Sequence, residues 1–147
     1  MILADNLAIY ANPGFTSPDA LTLFSAWQTS LSYSFQLYFD FSGYADMAIG
    51  VALLFNIKLP INFNSPFQST NIIDFWSKWH ITLTKFITSY IYIPIVRSFS
   101  SFSFHKAMLA TFASIFIAGV WHGAGWTFVT YGALHGVALI VNHYWRK

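Results

Sequence analysis

The 147-residue sequence is 56% hydrophobic, 20% aromatic and only 8% charged, whereas about a quarter of the residues of an average soluble domain are charged. A domain of ~150 residues buries only about 70% of the surface that its unfolded chain exposes, so this composition predicts a membrane protein. A formal net charge of +2 argues against nucleic-acid binding, and the lack of cysteine excludes disulfides, thiolate catalysis and thiolate zinc sites.

The first third of the chain is predicted to be helical. Residues 1–18 are expected to form the end of a helix and a loop, without the basic and apolar start of a cleavable signal peptide. Residues 20–55 are apolar over more than the ~20 residues of one perpendicular span. We therefore predict a break near residues 41–43, giving two helices or one kinked helix, with Asp40 and Asp46 stabilising the break.

The middle of the chain is predicted to be a loop followed by an amphipathic helix at the membrane surface. Proline and asparagine make residues 56–67 a loop, Asn71 is a helix cap, and Asp74 and Lys78 have the spacing of a stabilising ion pair. The helix is expected to continue to the YIYIP segment and to lie along the bilayer. Its apolar stripe comprises Ile73, Trp76, His80, Leu83 and Ile87.

Two further spans are predicted at residues 107–121 and 127–141, joined by a loop that holds His122 between glycines and tryptophans. Each is shorter than ~20 residues, which predicts a locally thinned bilayer. The positions of the basic residues place the ends of this hairpin on the cytoplasmic side and the His122 loop on the other side, recessed in the membrane. The predicted fold is all-α and multi-pass, in a single membrane domain over residues 1–147.

His122 is the strongest candidate for chemistry. An ionisable group inside a membrane is costly, and imidazole titrates near neutral pH, as a general base must. Gly123 and Gly125 leave their backbone N–H groups open to a developing oxyanion. The alternative is a structural histidine that joins helices. The same alternative holds for His80 on the packed face, and His135 is predicted to form a helix–helix hydrogen bond.

Five motifs stand in the order seen in the membrane-bound O-acyltransferase family. They are FDFSGYADMAIG at 39–50, PINF at 60–63, FWSKWHITL at 75–83, YIYIP at 90–94 and WHGAGW at 121–126. Each motif is weak by itself, but their shared order makes coincidence an unsatisfactory explanation. The chain resembles this family over nearly its whole length. The resemblance is strongest to alginate O-acetylation proteins, and D-alanyl transfer to teichoic acid is a more distant relation.

The resemblance implies transfer of an acyl group, with acetyl preferred, to polysaccharide hydroxyls. It assigns the signature histidine to His122 and the second histidine to His80. It implies no tightly bound cofactor and no metal, with the acyl donor, for which acetyl-CoA is a candidate, acting as a substrate. The expected partners are the polysaccharide acceptor, extracytoplasmic acetyltransferase or carrier subunits and the lipid bilayer. The expected location is the bacterial cytoplasmic (inner) membrane.

Two other classes of protein stay open at this point. Members of the family are typically longer, so the chain is expected to be a central-to-C-terminal fragment, and a truncated piece would be an inactive membrane scaffold. A histidine-ligated metal or haem protein is the second alternative, suggested by His122 and His135 around one span. A metal site requires several converging ligands, however, and no His-x-x-His or His-x-x-x-His pair occurs.

Overall fold

The computed structural model describes residues 2–147, and the regular structure of these residues is helical, without a strand, which confirms the predicted all-α class. Short 3₁₀ turns at Pro18–Ala20 and Pro66–Gln68 and a π-helical turn at Thr88–Tyr92 connect some of the α-helices. The α-helices are α1 (Ile2–Thr16), α2 (Leu23–Leu54), α3 (Ile72–Lys78), α4 (Ile81–Ile87), α5 (Ile93–Arg97), α6 (Phe104–His122) and α7 (Trp126–Trp145).

The chain divides into two compact units, the first ending at Ile61 and the second comprising Asn62–Lys147. In the first unit, α1 packs along α2 through small residues. Ala11 is fully buried, and a Cβ atom at Gly14 would overlap the side chain of Thr29 on α2. Small residues permit such a close approach of two helices in an apolar setting. The single domain expected over residues 1–147 stays a prediction.

Helix α2 is a single element of 32 residues, so the first alternative predicted for residues 41–43, two separate helices, is wrong, and the second, one kinked helix, stays a prediction. The helix begins at a reciprocal capping box between Thr22 and Ser25. No glycine or proline signal inside it outweighs the propagation of backbone hydrogen bonds. Asp40 and Asp46 lie exposed on this helix and have no gap between two helices to stabilise. Within residues 2–147, α2 and α6 are long and apolar enough to cross a membrane.

The predicted amphipathic helix is wrong as one element, because the structure divides it into α3, α4, a π-helical turn and α5. Its start is confirmed: the side-chain oxygen of Asn71 accepts a 2.9 Å bond from the Asp74 N–H, and Asp74 pairs with Lys78 at 2.8 Å. The helix stops at Trp79, which pairs in an antiparallel bridge with Phe63. This backbone pairing ends the helix, although the apolar residues continue at helical spacing.

Helices α6 and α7 form a hairpin and are longer than the two spans predicted there, with 19 and 20 residues. The Ser103 side chain caps α6 by accepting a hydrogen bond from the Lys106 N–H. Since these lengths approach those of ordinary spans, the expected thinning of the bilayer loses its basis. The hairpin closes through glycines: a Cβ atom on Gly119 would lie 2.5 Å from the Gly132 Cα atom.

We expect Gly119→Ala to lower the free energy of unfolding by about 1–3 kcal/mol, because the added methyl group meets backbone that cannot rotate away. The measurement is the thermal unfolding midpoint of the chain in detergent. Gly50→Ala is the matched control, since a Cβ atom at Gly50 would have no neighbour within 4 Å. Equal midpoints for the two variants would contradict the close contact between α6 and α7.

Candidate functional site

His122 is the last residue of α6, one position before the connecting loop in which it was predicted, and it is exposed. Its recess in the membrane stays a prediction. Three residues, 123–125, then lead to α7. A histidine at this position can interact favourably with the partial negative charge of the helix C-terminus. The Gly123 N–H donates a 3.2 Å bond to the Val120 carbonyl and is therefore not available to an oxyanion, contrary to the expectation for that glycine.

His80 is half-buried at the break between α3 and α4. Its backbone is left-handed, with φ 45° and ψ 56°, and it occupies the N-cap position of α4. A residue with a Cβ atom seldom adopts this conformation, and such strain concentrates at functional sites. His80 was predicted on the apolar stripe of a continuous helix. This prediction is wrong, because the backbone of His80 is left-handed and this turn, not the helical period, sets the direction of its side chain.

The structure places the two candidate histidines on neighbouring elements, His80 at the start of α4 and His122 at the end of α6. Helix α4 packs against α6, and the charge of His122 acts on His80. His80 lies outside the spanning helices, and its pKa is below the ordinary 6.5, mainly because burial disfavours the charged ring and secondarily because of His122. A lowered pKa keeps the imidazole neutral at physiological pH, as an acceptor of protons must be.

A column of ring contacts runs from His122 at the end of α6 through α7 to α3. The ring of Tyr131 lies 6.3 Å from that of His122, nearly perpendicular to it, and 4.4 Å from that of His135. The ring of His135 in turn lies 5.2 Å from that of Trp76 on α3. The sequence did not identify Tyr131 as a site residue. Its position four residues before His135, on the same helix face, is the pattern that indicates contact between the two rings.

His135 makes ring contacts in place of the helix–helix hydrogen bond predicted for it. Within residues 2–147, its Nδ1 atom is buried without a hydrogen-bond partner, and the same holds for Nε1 of Trp76. The perpendicular packing of the two rings is a favourable arrangement for aromatic groups. His105 joins the ends of the hairpin through a 2.6 Å bond between its Nδ1 atom and the Tyr144 hydroxyl.

The alternative of a histidine-ligated metal protein is not supported by a cluster of ligands in the part of the chain that the structure describes. No group of three or more histidine, aspartate or glutamate side chains converges there in a way that could hold a metal ion. His122 and His135 lie on different helices, with Tyr131 between them. The chemistry that this arrangement can support is therefore that of a pair of imidazoles, His80 and His122, beside an aromatic wall.

Comparison with known proteins agrees with the order of the motifs. The membrane-bound O-acyltransferase family matches residues 3–147. A peptidoglycan O-acetyltransferase of Helicobacter pylori is 54% identical over 97% of this chain, and a probable alginate O-acetylase of Azotobacter vinelandii is 40% identical over 97%. A teichoic acid D-alanyltransferase of Bacillus subtilis is 36% identical over 78% of the chain. The chain spans 27%, 28% and 30% of the lengths of these relatives.

The lowered pKa of His80 predicts a loss of stability in acid. Between its pKa in the folded protein and the ordinary 6.5, the native state binds fewer protons than the unfolded state. The stability that neutral His80 contributes is therefore fully present above its pKa in the unfolded state. It is lost as the pH falls through its pKa in the folded state. We expect the unfolding midpoint to drop between about pH 7.5 and about pH 5.

His80→Asn is the control for this loss, because asparagine tolerates the left-handed backbone and does not titrate. It should reduce the drop in the unfolding midpoint. A drop as large as that of the wild-type chain would assign the acid sensitivity to other groups. Imidazole NMR provides a direct reading, in which His122→Gln should raise the pKa of His80 only in part, since burial is the larger cause.

Proposed function

The chain belongs to the membrane-bound O-acyltransferase family, and we propose that it carries the histidine pair with which an O-acyltransferase transfers an acyl group, in the first place acetyl, to hydroxyl groups of a polysaccharide. The observation that carries the proposal is the packing of α4, which begins after His80, against α6, which ends at His122. The names of the relatives, a peptidoglycan O-acetyltransferase and a probable alginate O-acetylase, support acyl transfer to a polysaccharide.

His122 is the proposed general base. It takes the proton from an acceptor hydroxyl as the oxygen attacks the carbonyl carbon of an acyl thioester. The tetrahedral intermediate then collapses, the bond from carbon to sulfur breaks, and the imidazolium returns its proton to the departing thiolate. The acyl group leaves on the acceptor oxygen as an ester, and His122 is neutral again. General acid–base catalysis of this kind contributes about 10²- to 10⁴-fold to a rate.

His80 is the proposed assistant on the donor side. Its lowered pKa keeps it neutral, so one ring nitrogen can donate a hydrogen bond to the carbonyl oxygen of the donor as negative charge develops there. Tyr131 is proposed to hold the His122 ring in one orientation through perpendicular ring packing. Orientation of the base by a third group is the usual arrangement in acyl transfer.

The substrates and setting of the whole protein follow the same proposal. The donor is an acyl thioester such as acetyl-CoA, used as a substrate with no tightly bound cofactor. The partners are the acceptor polymer and extracytoplasmic acetyltransferase or carrier subunits. The two apolar helices and the family indicate a membrane protein; a multi-pass topology in the bacterial inner membrane is the proposed location.

Peptidoglycan is the first acceptor to test, because the peptidoglycan O-acetyltransferase of Helicobacter pylori shares 54% of its aligned residues with the chain. Alginate is the second, given 40% identity to the probable alginate O-acetylase of Azotobacter vinelandii. Teichoic acid, where the transferred group is D-alanyl, is third. The alternative of an inactive piece rests on length, since the chain spans 27% of the Helicobacter pylori relative.

The test is peptidoglycan O-acetylation in cells that lack their own membrane O-acetyltransferase. They receive either the chain alone or the chain joined to the flanking spans of the Helicobacter pylori relative. We expect His122→Ala to lower acetyl ester formation by about 10²-fold or more, since the base is lost, with insertion into the membrane unchanged. Ester release and mass spectrometry of the isolated polymer give the amount.

His143→Ala is the matched control, a histidine on α7 outside the proposed machinery, and it should keep wild-type activity. Restoration of acetylation by the extended chain but not by the chain alone would support the family function and identify the chain as an inactive piece. Wild-type acetyl ester levels with His122→Ala would contradict the role of His122 as general base. If neither the chain alone nor the extended chain acetylates peptidoglycan or alginate, the proposed function is contradicted.

A further inference from the structure

The backbone around His80 is held by a loop that is distant in sequence. On one side of the break, the Asn64 N–H donates a 3.0 Å bond to the Lys78 carbonyl. On the other side, the Ile81 N–H donates a 3.0 Å bond to the Asn62 carbonyl. Residues 62–64 thus pair with the chain before and after Trp79 and His80, and Trp79 itself bridges to Phe63.

The side chain of Asn62 adds two bonds at the start of α4. Its Oδ1 atom accepts a 2.6 Å bond from the Thr82 hydroxyl and a 3.3 Å bond from the Thr82 N–H. The N–H groups of a helix's first turn have no partner within the helix, and the residue at the N-cap position is the usual acceptor. Here His80 occupies that position, and Asn62, 20 residues before Thr82, provides the acceptor oxygen instead.

Because Asn62 caps the helix, the side chain of His80 does not have to turn back onto α4. A histidine in the left-handed region is unfavourable by itself, because its Cβ atom approaches the following carbonyl oxygen. The conformation persists when the surrounding contacts over-determine it. Four hydrogen bonds on the two sides of His80, two of them to the Asn62 side chain, are such contacts.

We propose that Asn62 is a positioning residue for the acyl transfer: its side-chain oxygen caps α4 in place of His80 and thereby holds the left-handed turn that sets the direction of the His80 imidazole. The inference rests on the proposed function, in which His80 acts on the donor side. Asn62 is expected to touch neither donor nor acceptor. Its effect should therefore appear in kcat and in the environment of His80 rather than in KM.

The main variant is Asn62→Ala, which removes the side-chain oxygen and keeps the backbone carbonyl that pairs with Ile81. In the form of the chain that acetylates peptidoglycan, alone or extended, we expect kcat to fall about 10- to 100-fold with KM within about twofold of the wild type, because a small misplacement of a catalytic group costs a rate of this order. Asn62→Asp keeps an acceptor oxygen and should retain kcat when assayed at about pH 8, where the added charge leaves His80 neutral.

Asn64→Ala is the matched control in the same loop, since Asn64 pairs through its backbone N–H and its side chain is exposed. It should behave as the wild type. Thr82→Val is the milder variant, which removes the 2.6 Å bond and keeps the N–H bond, with an expected fall in kcat of about 3- to 10-fold. If Asn62→Ala does not fold, Thr82→Val is the variant that tests the proposal.

A second readout is independent of activity. In the chain labelled on histidine, the NMR signals of the His80 ring should move in Asn62→Ala and Thr82→Val and stay in place in Asn64→Ala. Unmoved His80 signals in Asn62→Ala, or in Thr82→Val if the first variant does not fold, would overturn the inference. So would a loss of kcat in Asn62→Asp equal to that in Asn62→Ala. If neither the chain alone nor the extended chain acetylates a polymer, the proposed function fails while the NMR comparison still decides the role of Asn62.

Discussion

The pairing of residues 62–64 with the chain on both sides of His80 is the interaction on which the candidate site depends. A helix that continued through this point would carry His80 on its regular face, fixed by the helical period. The bonds from Asn64 to Lys78 and from Ile81 to Asn62 end one helix and start the next within two residues. The left-handed turn between them directs the imidazole by loop geometry, at a free-energy cost that the neighbouring bonds offset.

The second constraint is the close contact of α6 with α7, which places His122. Gly119 and Gly132 let the two helices approach until a methyl group would not fit between them. The same approach brings Tyr131 to the His122 ring and continues through His135 to Trp76 on α3. The small residues and the aromatic residues of α7 thus have complementary roles: the first set the helix distance, and the second form the wall beside the imidazoles.

The two histidines differ in burial. His122 is exposed at a helix end, whereas His80 is half-buried and has a lowered pKa. Two imidazoles in different surroundings can take different parts in one proton transfer, one as base and one as hydrogen-bond donor.

The sequence by itself determined the composition of a membrane protein, the helical class, the Asn71 cap with its Asp74–Lys78 pair, and both candidate histidines. Each follows from local rules: apolar content, capping chemistry, side-chain spacing and the titration range of imidazole. It could not predict the break at His80 or the column through Tyr131. Those depend on partners far along the chain, such as Asn62 for Thr82 and Gly132 for Gly119, and a periodic pattern contains no information on which distant backbone groups will pair. Only the tertiary structure, through the packing of α4 against α6, decided that the elements holding His80 and His122, two histidines 42 positions apart, are neighbours.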